Sequence, residues 1–437
     1  MRWLEGLFSL RQDELTKALP FLGLLVCLFG GVTIARNLAM SFVVTDMGKE
    51  ALPLLFSLIG VFQLLFALVY AVLSARFGTR QLYNGLLVAL AVFCAACMLL
   101  LWWEARWASA LLYVGLFVLL PVILIHDGTH LASYLNPHEQ KKLAGFIAAG
   151  IPLGAMLGGA LLVVLLKWVP PVLLLLALPL SAVLTILMVL RIARRRVSFG
   201  DDAPASESVN PLRQMHAGVK SAAKVPLIKW LAAGVFVATV VQQLMVYFYQ
   251  GMIYPTVFPD IAERAAFFGK YDLFMNFAAL LFQLTLASRL INRLGVGVSS
   301  VLHPVLYLGS AILLAVSQGL LAGIVSQAVN QELRTYFRKP VDNLLFNGLN
   351  SKLWGVSKAF LGGIVQPVAI LFSTLLLFLL QAFSMSLMLP LLQGLVVLFA
   401  LLGVALVVPQ ARAYDAGVLA LLNWIFWLMS LNPKTSP

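Results

Sequence analysis

The residues of this sequence that could do chemistry are charged and polar side chains inside long apolar runs. Arg36 and Asn37 lie in a run that begins at Leu19, and Lys270 and Asp272 lie near the start of another. A charge inside such a segment is costly and normally faces a cavity or a charged partner. These side chains therefore mark a candidate site or path for a polar substrate.

A second group of polar residues ends the fourth apolar run. His126 and His130 are four residues apart, which places both imidazoles on one helix face next to Asp127. Such a face could bind a metal ion, but cavity or interface polar groups are the more ordinary interpretation, and we expect no metal. A carboxylate beside a histidine could also relay a proton. The candidates for proton transfer or ion coupling are His126, Asp127, His130 and Asp272.

The candidate substrate-binding residues share a position in or near apolar runs that would line a central path. The alternative for each is a satisfied hydrogen bond or salt bridge between helices that fixes packing. Motifs such as GxSxG, Walker A and HExxH do not occur, so we expect neither an enzyme nor a cofactor. The substrate-binding candidates are Arg36, Asn37, Gln63, Asp127, Gln243, Tyr247, Lys270, Asp272 and Arg338.

Composition identifies the elements that must position these residues. The 437 residues are 62% hydrophobic and 11% charged, with a mean hydropathy of +0.97. These values are typical of a multi-pass membrane protein. Twelve runs are about 20 residues long, enough to cross a bilayer. We name them spans 1 to 12; their centres lie near Leu25, Leu65, Phe93, Val118, Gly154, Leu180, Val237, Leu280, Leu306, Ile324, Ile370 and Val397.

The net charge of +13 does not indicate a nucleic-acid partner. If the amino terminus is cytoplasmic, most of the 30 Lys and Arg residues fall in cytoplasmic segments, as the positive-inside rule requires. This asymmetry predicts cytoplasmic termini in a bacterial inner membrane. No cleavable signal peptide is recognisable at the start of the chain.

The chain divides at one long polar stretch. We predict an amphipathic helix at 1–18, a six-helix bundle at 19–191, a cytoplasmic linker at 192–225, a second six-helix bundle at 226–410 and an interfacial segment at 411–437. Two six-helix halves around such a linker resemble the plan of the major facilitator superfamily. The predicted fold class is therefore an all-α membrane protein with twelve transmembrane helices in two bundles of that type.

Four stretches, in order along most of the chain, carry a closer resemblance. They resemble the ATP:ADP antiporter family of bacterial and plastidic nucleotide transporters, which implies the same twelve-span fold. The stretches are Arg36-Asn37 with Val43-Val44-Thr45 and Gly48-Lys49-Glu50-Ala51-Leu52-Pro53; Glu139-Gln140-Lys141-Lys142; Ala266-Phe267-Phe268-Gly269-Lys270-Tyr271; and Glu332-Leu333-Arg334 with Arg338 and Val341-Asp342.

Departures from that family concern its phosphate-binding and coupling groups. The acid, lysine and second acid of its span 1 motif are replaced here by Asn37, Ala39 and Met40, and its span 7 glutamate by Tyr247. Its lysine after span 10 corresponds to Arg338. A polyphosphate would lack much of its charge compensation at such a site, so we expect the cargo to differ.

The sequence therefore predicts a secondary active transporter that moves an anionic or amphipathic metabolite by alternating access. Two alternatives remain: a lipid or lysophospholipid flippase of the same type, and a non-transporting membrane scaffold or sensor. The expected partners are a small-molecule or lipid substrate and membrane lipids. The sequence does not fix the oligomeric state, and a monomer is the expectation.

Overall fold

The computed structural model of the protein describes residues 12–195, 220–222, 224–349 and 351–431. Almost all of them are helical, and each predicted span corresponds to one helix or to a short series of helices. The helices of the first six spans are Gln12–Met47, Leu52–Arg76, Thr79–Trp102, Trp107–Ala132, Pro137–Ala148 with Gly150–Leu165, and Pro171–Leu174 with Ala177–Arg195.

The later spans contain π-helical segments, in which the backbone hydrogen bonds are one residue longer. They are Pro226–Phe248, Tyr249–Ile253 (π) and Tyr254–Val257; Ile261–Phe282 and Gln283–Ala287 (π); Ser288–Ser317; Leu320–Gln327, Ala328–Arg338 (π) and Lys339–Leu345; Ser351–Phe360, Leu361–Val365 (π) and Gln366–Gln381; and Met385–Leu431.

Eleven helices in the described part of the chain are long and apolar enough to cross a membrane. The remaining predicted span is span 10, residues 320–345. It is helical as well but more polar, because it carries Glu332, Arg334 and Arg338. The predicted all-α class is confirmed in the described residues, where eleven apolar helices and one more polar helical stretch correspond to the twelve predicted spans. Span 10 carries its charges close together, between residues 332 and 342.

The break predicted after the first span is present. Span 1 ends at Met47, and Gly48 adopts φ 75° and ψ 168°, a conformation that residues with a Cβ rarely adopt. A single 3₁₀ turn, Lys49–Ala51, then leads into span 2, whose first turn contains Pro53. The glycine and the proline together fix where one helix stops and the next begins.

Both ends of the chain differ from the predicted segmentation. Span 1 already begins at Gln12, so no break separates residues 12–18 from the apolar run, while 1–11 lie outside the described residues. Span 12 runs from Met385 to Leu431 without a break at 411, because helix-forming apolar residues continue past Pro409. The membrane position of residues 411–431 stays a prediction. Most of the predicted linker, 196–219 and 223, is likewise outside the described residues.

The helices form two compact units. The first contains spans 1 to 6 together with Tyr254–Leu280, and the second contains span 7 up to Ile253 and the chain from Leu281 onward. The first part of span 8, residues 254–280, groups with spans 1 to 6 because it packs with spans 1 and 5. The division into two functional bundles stays a prediction.

Glycines in span 5 bring the first unit's helices together. A Cβ on Gly154 would lie 2.6 Å from the Val26 carbonyl oxygen, and one on Gly158 would overlap the backbone of Gly30. One residue further, Gly159 meets Gly269 of span 8 at equally short range. Small residues at this spacing let helix backbones approach closely. Span 5 therefore holds span 1 on one side and span 8 on the other.

Replacing Gly154 with alanine should destabilise the protein by about 1–3 kcal/mol, because the added methyl group forces two backbones apart. Gly145 is the matched control, since it lies in span 5 and a Cβ there meets nothing within 4 Å. Gly145→Ala should be neutral or gain up to about 1 kcal/mol from helix propensity. Thermal unfolding of the two purified variants checks this. Equal melting temperatures would refute the close packing of spans 1 and 5.

Candidate functional site

Arg36 and Asp272 form an ion pair in the first unit, between residues 236 positions apart in the chain. The Nη2 atom of Arg36 donates to Oδ1 of Asp272 at 3.0 Å and to Oδ2 at 3.2 Å. Asn37 Nδ2 donates to Oδ2 at 2.7 Å. Arg36 and Asn37 of span 1 thus both bond to Asp272 of span 8. The structure brings together three of the predicted substrate-binding residues.

The two charges of this pair are unequally exposed. The side chain of Asp272 is 2% exposed, whereas that of Arg36 is 33% exposed. A buried carboxylate requires a counter-charge or hydrogen-bond donors, and Arg36 and Asn37 provide both. Because the arginine keeps an open face, an incoming anion could bond to the same guanidinium. Arginine suits this role, since its planar fork binds carboxylate and phosphate groups with two bonds.

A second arginine, Arg264, fixes the end of span 1 to the start of span 8. Its Nη1 donates to the Ser41 carbonyl oxygen at 3.0 Å and to Thr45 Oγ1 at 3.1 Å. Its Nε and Nη2 donate to the carbonyl oxygens of Phe258 and Pro259, at 2.9 and 2.8 Å. Sequence reasoning placed Arg264 in an external loop and missed it. Its only sequence signal was a charge beside the start of an apolar run.

Lys270 does not join the ion pair. Its side chain is exposed, because it lies two residues before Asp272 and therefore on another side of the helix. If Lys270 binds a substrate, it does so as an exposed charge that is separate from the Arg36–Asp272 contact. This role stays a prediction.

The polar end of span 4 contacts spans 2 and 3. Tyr83 donates its hydroxyl to Asp127 Oδ1 at 2.8 Å, and His130 stacks on the Tyr83 ring with a centroid distance of 5.0 Å. His126 lies 2.7 Å from the Thr79 carbonyl oxygen through Nε2 and 3.0 Å from the Tyr70 hydroxyl through Nδ1. A carbonyl can only accept, so Nε2 carries a proton and the neutral ring accepts from Tyr70.

This arrangement gives Asp127 a hydroxyl partner rather than a cationic one. A carboxylate bonded to a hydroxyl can exchange a proton more readily than one bonded to an arginine. The roles of His126, Asp127, His130 and Asp272 in coupling remain predictions. Among the described residues, no three His, Cys, Asp or Glu side chains gather as they would around a metal ion.

The other predicted residues have structural contacts. Gln63 is half-buried and donates to the Phe117 carbonyl oxygen at 3.1 Å, which links spans 2 and 4. In the second unit, Tyr247 is 1% exposed and its hydroxyl lies 3.5 Å from Gln381 Nε2, and Gln243 is half-buried in span 7. Arg338 pairs with Asp342 at 2.8 Å within span 10.

A buried hydrogen-bond network in the second unit was not predicted as a site. Asn330 of span 10 accepts from the Tyr307 hydroxyl at 2.8 Å and donates to the Tyr249 hydroxyl at 3.1 Å. Asn330 is fully buried, so these bonds join spans 7, 9 and 10. The sequence places Tyr249 and Asn330 as polar residues inside apolar runs, but it does not show which polar side chains pair with each other.

Removing Arg36 should cost more stability than removing Asp272. Arg36→Gln leaves a buried carboxylate without its counter-charge, which costs about 3–5 kcal/mol. Asp272→Asn leaves an arginine that still reaches solvent, so its cost should be smaller. Lys270→Gln, on the same helix as Asp272, is the control and should change stability by less than about 0.5 kcal/mol. Chemical unfolding in detergent measures all three; a neutral Arg36→Gln would contradict the ion pair.

The chain is similar to a known family of proteins. A family model described as the Major Facilitator Superfamily matches residues 21–330. Among curated protein sequences, none matches significantly.

Solved structures with a similar fold are transporters. The peptide transporter PepTSo of the POT family is 12% identical, with a TM-score of 0.63 over 92% of this chain and 98% of its own. The nucleoside transporter NupG is 12% identical, with a TM-score of 0.60 over 92% and 98%. The human organic anion transporter MFSD10 is 15% identical, with a TM-score of 0.57 over 90% and 99%. This chain therefore belongs to the Major Facilitator Superfamily, as a multi-pass membrane protein with the fold of secondary transporters.

Proposed function

We propose that this protein is a secondary active transporter of an anionic metabolite, which binds at Arg36 in competition with Asp272. The single observation that carries the proposal is the unequal exposure of the ion pair, 33% for Arg36 and 2% for Asp272. An anion can approach the exposed face of Arg36, whereas a cation can reach Asp272 only by displacing Arg36. The site therefore selects negative charge.

The competition also provides a physical link between binding and movement. While Arg36 bonds to Asp272, spans 1 and 8 are tied together. A substrate anion that takes the guanidinium releases the carboxylate, and the released acid can then bind a proton or another donor. Ligand binding would thus bias two arrangements of span 8 against span 1, which is what alternating access requires.

The cargo class follows from the groups that are present. One arginine and an asparagine suit a carboxylate or a single phosphate better than a polyphosphate, which would leave charge uncompensated. We place the protein among divergent relatives of the nucleotide translocases, on the motifs around Arg36 and residues 332–342. ATP/ADP exchange itself would need phosphate-binding groups beyond the two at this site. We propose the bacterial inner membrane as its location, with cytoplasmic termini.

Anion binding at Arg36 can be tested with a variant that keeps the ion pair. Arg36→Lys retains the charge beside Asp272 but loses the planar fork, so it should fold while binding an anion at least tenfold more weakly. The measurement is a thermal-shift screen of the purified protein against nucleotides, other phosphate esters, dicarboxylates and lysolipids, followed by uptake of each hit into proteoliposomes.

Arg191→Lys, an exposed arginine at the end of span 6, is the matched control and should bind and transport like the parent. An anion that stabilises the parent and Arg191→Lys but not Arg36→Lys supports the proposal. Responses to lysolipids alone would favour the flippase alternative. A protein that responds to no anion, or whose response survives Arg36→Lys unchanged, would refute the anionic-substrate proposal.

A further inference from the structure

A second group of positive charges lines a cavity in the second unit. The cavity has a volume of about 60 Å³ and lies among spans 7, 9, 10 and 12. Its polar lining includes His303, Arg334, Arg338, Asp342 and Gln410, and its apolar walls include valines and a phenylalanine. We name it the Arg334 cavity. None of the residues of the Arg36–Asp272 pair belongs to it.

The charges of this cavity do not balance. Arg338 is fully engaged: its Nε pairs with Asp342 Oδ1 at 2.8 Å and its Nη1 donates to the Ser300 carbonyl oxygen at 2.5 Å. Among the described residues that line the cavity, Asp342 is the one acid. Among the described residues, Arg334 makes no hydrogen bond and no ion pair within 4 Å, and Asp342, whose charge also acts on it, is already bonded to Arg338. One guanidinium charge is therefore left over.

A second donor at the cavity also lacks an acceptor. Gln410 of span 12 is 1% exposed, and its Nε2 has no hydrogen-bond partner among the described residues. A buried donor without an acceptor costs free energy, and a half-buried cation without a bonded anion, such as Arg334, adds to that cost. Arg334 and Gln410 line the same space, so a single group that accepts hydrogen bonds and carries negative charge would satisfy both.

The remaining polar walls are already committed. His303 Nε2 lies 3.3 Å from the Val329 carbonyl oxygen, so it donates there, and the Tyr307 hydroxyl donates to Asn330. These bonds join spans 9 and 10. The donors at the cavity that still lack an acceptor are therefore those of Arg334 and Gln410. The cavity thus has apolar walls and two donors without acceptors among the described residues, one on span 10 and one on span 12.

The volume fits one small oxyanion. A water molecule needs roughly 10–15 Å³ of such space, so the cavity holds about four or five water-sized groups. A chloride ion would leave most of it empty, whereas a phosphate group, with four oxygens around one phosphorus atom, would fill it. Arginine binds phosphate through two parallel hydrogen bonds.

We propose that the Arg334 cavity is a binding site for a phosphate group, held by Arg334 and Gln410. The phosphate belongs either to dissolved inorganic phosphate or to the headgroup of an anionic lipid, because both present the same oxygens. The site is independent of the proposed transport substrate at Arg36. Its occupant completes the charge balance of span 10, the most polar span of the chain.

Thermal unfolding of the full-length protein tests the site with inorganic phosphate as the probe and sodium chloride at equal ionic strength as the reference. Phosphate should raise the Tm of the parent in a saturable way. Arg334→Gln, made in an Arg36→Lys background so that the proposed substrate site does not contribute, should abolish the shift. Arg293→Gln, an exposed arginine in the second unit, and Arg36→Lys should retain it. Retention in Arg36→Lys separates this site from the proposed substrate site.

Two further measurements guard against a folding defect. Gln410→Leu keeps every charge, so it should fold and weaken phosphate binding about tenfold or more. In buffer free of phosphate, Arg334→Gln should be at least as stable as the parent, because it removes an uncompensated charge. An Arg334→Gln variant that is less stable there, together with a parent that ignores phosphate, would overturn the proposal.

Native mass spectrometry of protein extracted in mild detergent identifies the source of the phosphate. An anionic phospholipid retained by the parent and by Arg293→Gln but lost from Arg334→Gln would assign the site to a lipid headgroup, and so support it. A parent that shows neither a phosphate-dependent Tm nor a retained phospholipid that depends on Arg334 would refute the site.

Discussion

The carboxylate of Asp272 is the constraint on which the first unit depends. A buried negative charge in a membrane-spanning helix is tolerated only with a counter-charge and hydrogen bonds. Arg36 and Asn37, adjacent on span 1, provide them. For this to happen, span 8 must lie close against spans 1 and 5, and the contact of Gly159 with Gly269 permits that approach. The Arg36–Asp272 pair and the Gly159–Gly269 contact therefore both depend on the same close packing of span 8 against spans 1 and 5.

The two units deal with intramembrane charge in different ways. In the first unit, acid and base neutralise each other, and the exposed side of Arg36 is where a ligand could enter. In the second unit, a single acid, Asp342, lies beside the two arginines that line the cavity. The same physical cost of a buried charge underlies both proposals, the competitive site at Arg36 and the site for a resident anion at Arg334.

Residues that look alike in the sequence have different positions in the structure. Arg36 and Lys270 are both cations near apolar runs, yet Arg36 pairs with Asp272 and Lys270 is exposed. Helical periodicity explains the difference. Lys270 is two positions from Asp272, so its side chain lies on another side of the helix and away from Arg36. Arg264 and Arg334 were counted with loop or span-end charges. Their importance depends on which backbone oxygens or cavities lie opposite, and no local pattern encodes that.

The sequence by itself determined the class of the protein. Its apolar runs are long enough to span a bilayer, and Gly48 with Pro53 marks the end of the first helix. These properties are local, because hydropathy and backbone conformation depend on neighbouring residues. The pairing of Arg36 with Asp272, the hydroxyl partner of Asp127 and the charge imbalance at Arg334 join residues dozens to hundreds of positions apart. Only the tertiary structure decided them, since many pairings of the same buried polar groups would satisfy the sequence and helix packing selects one.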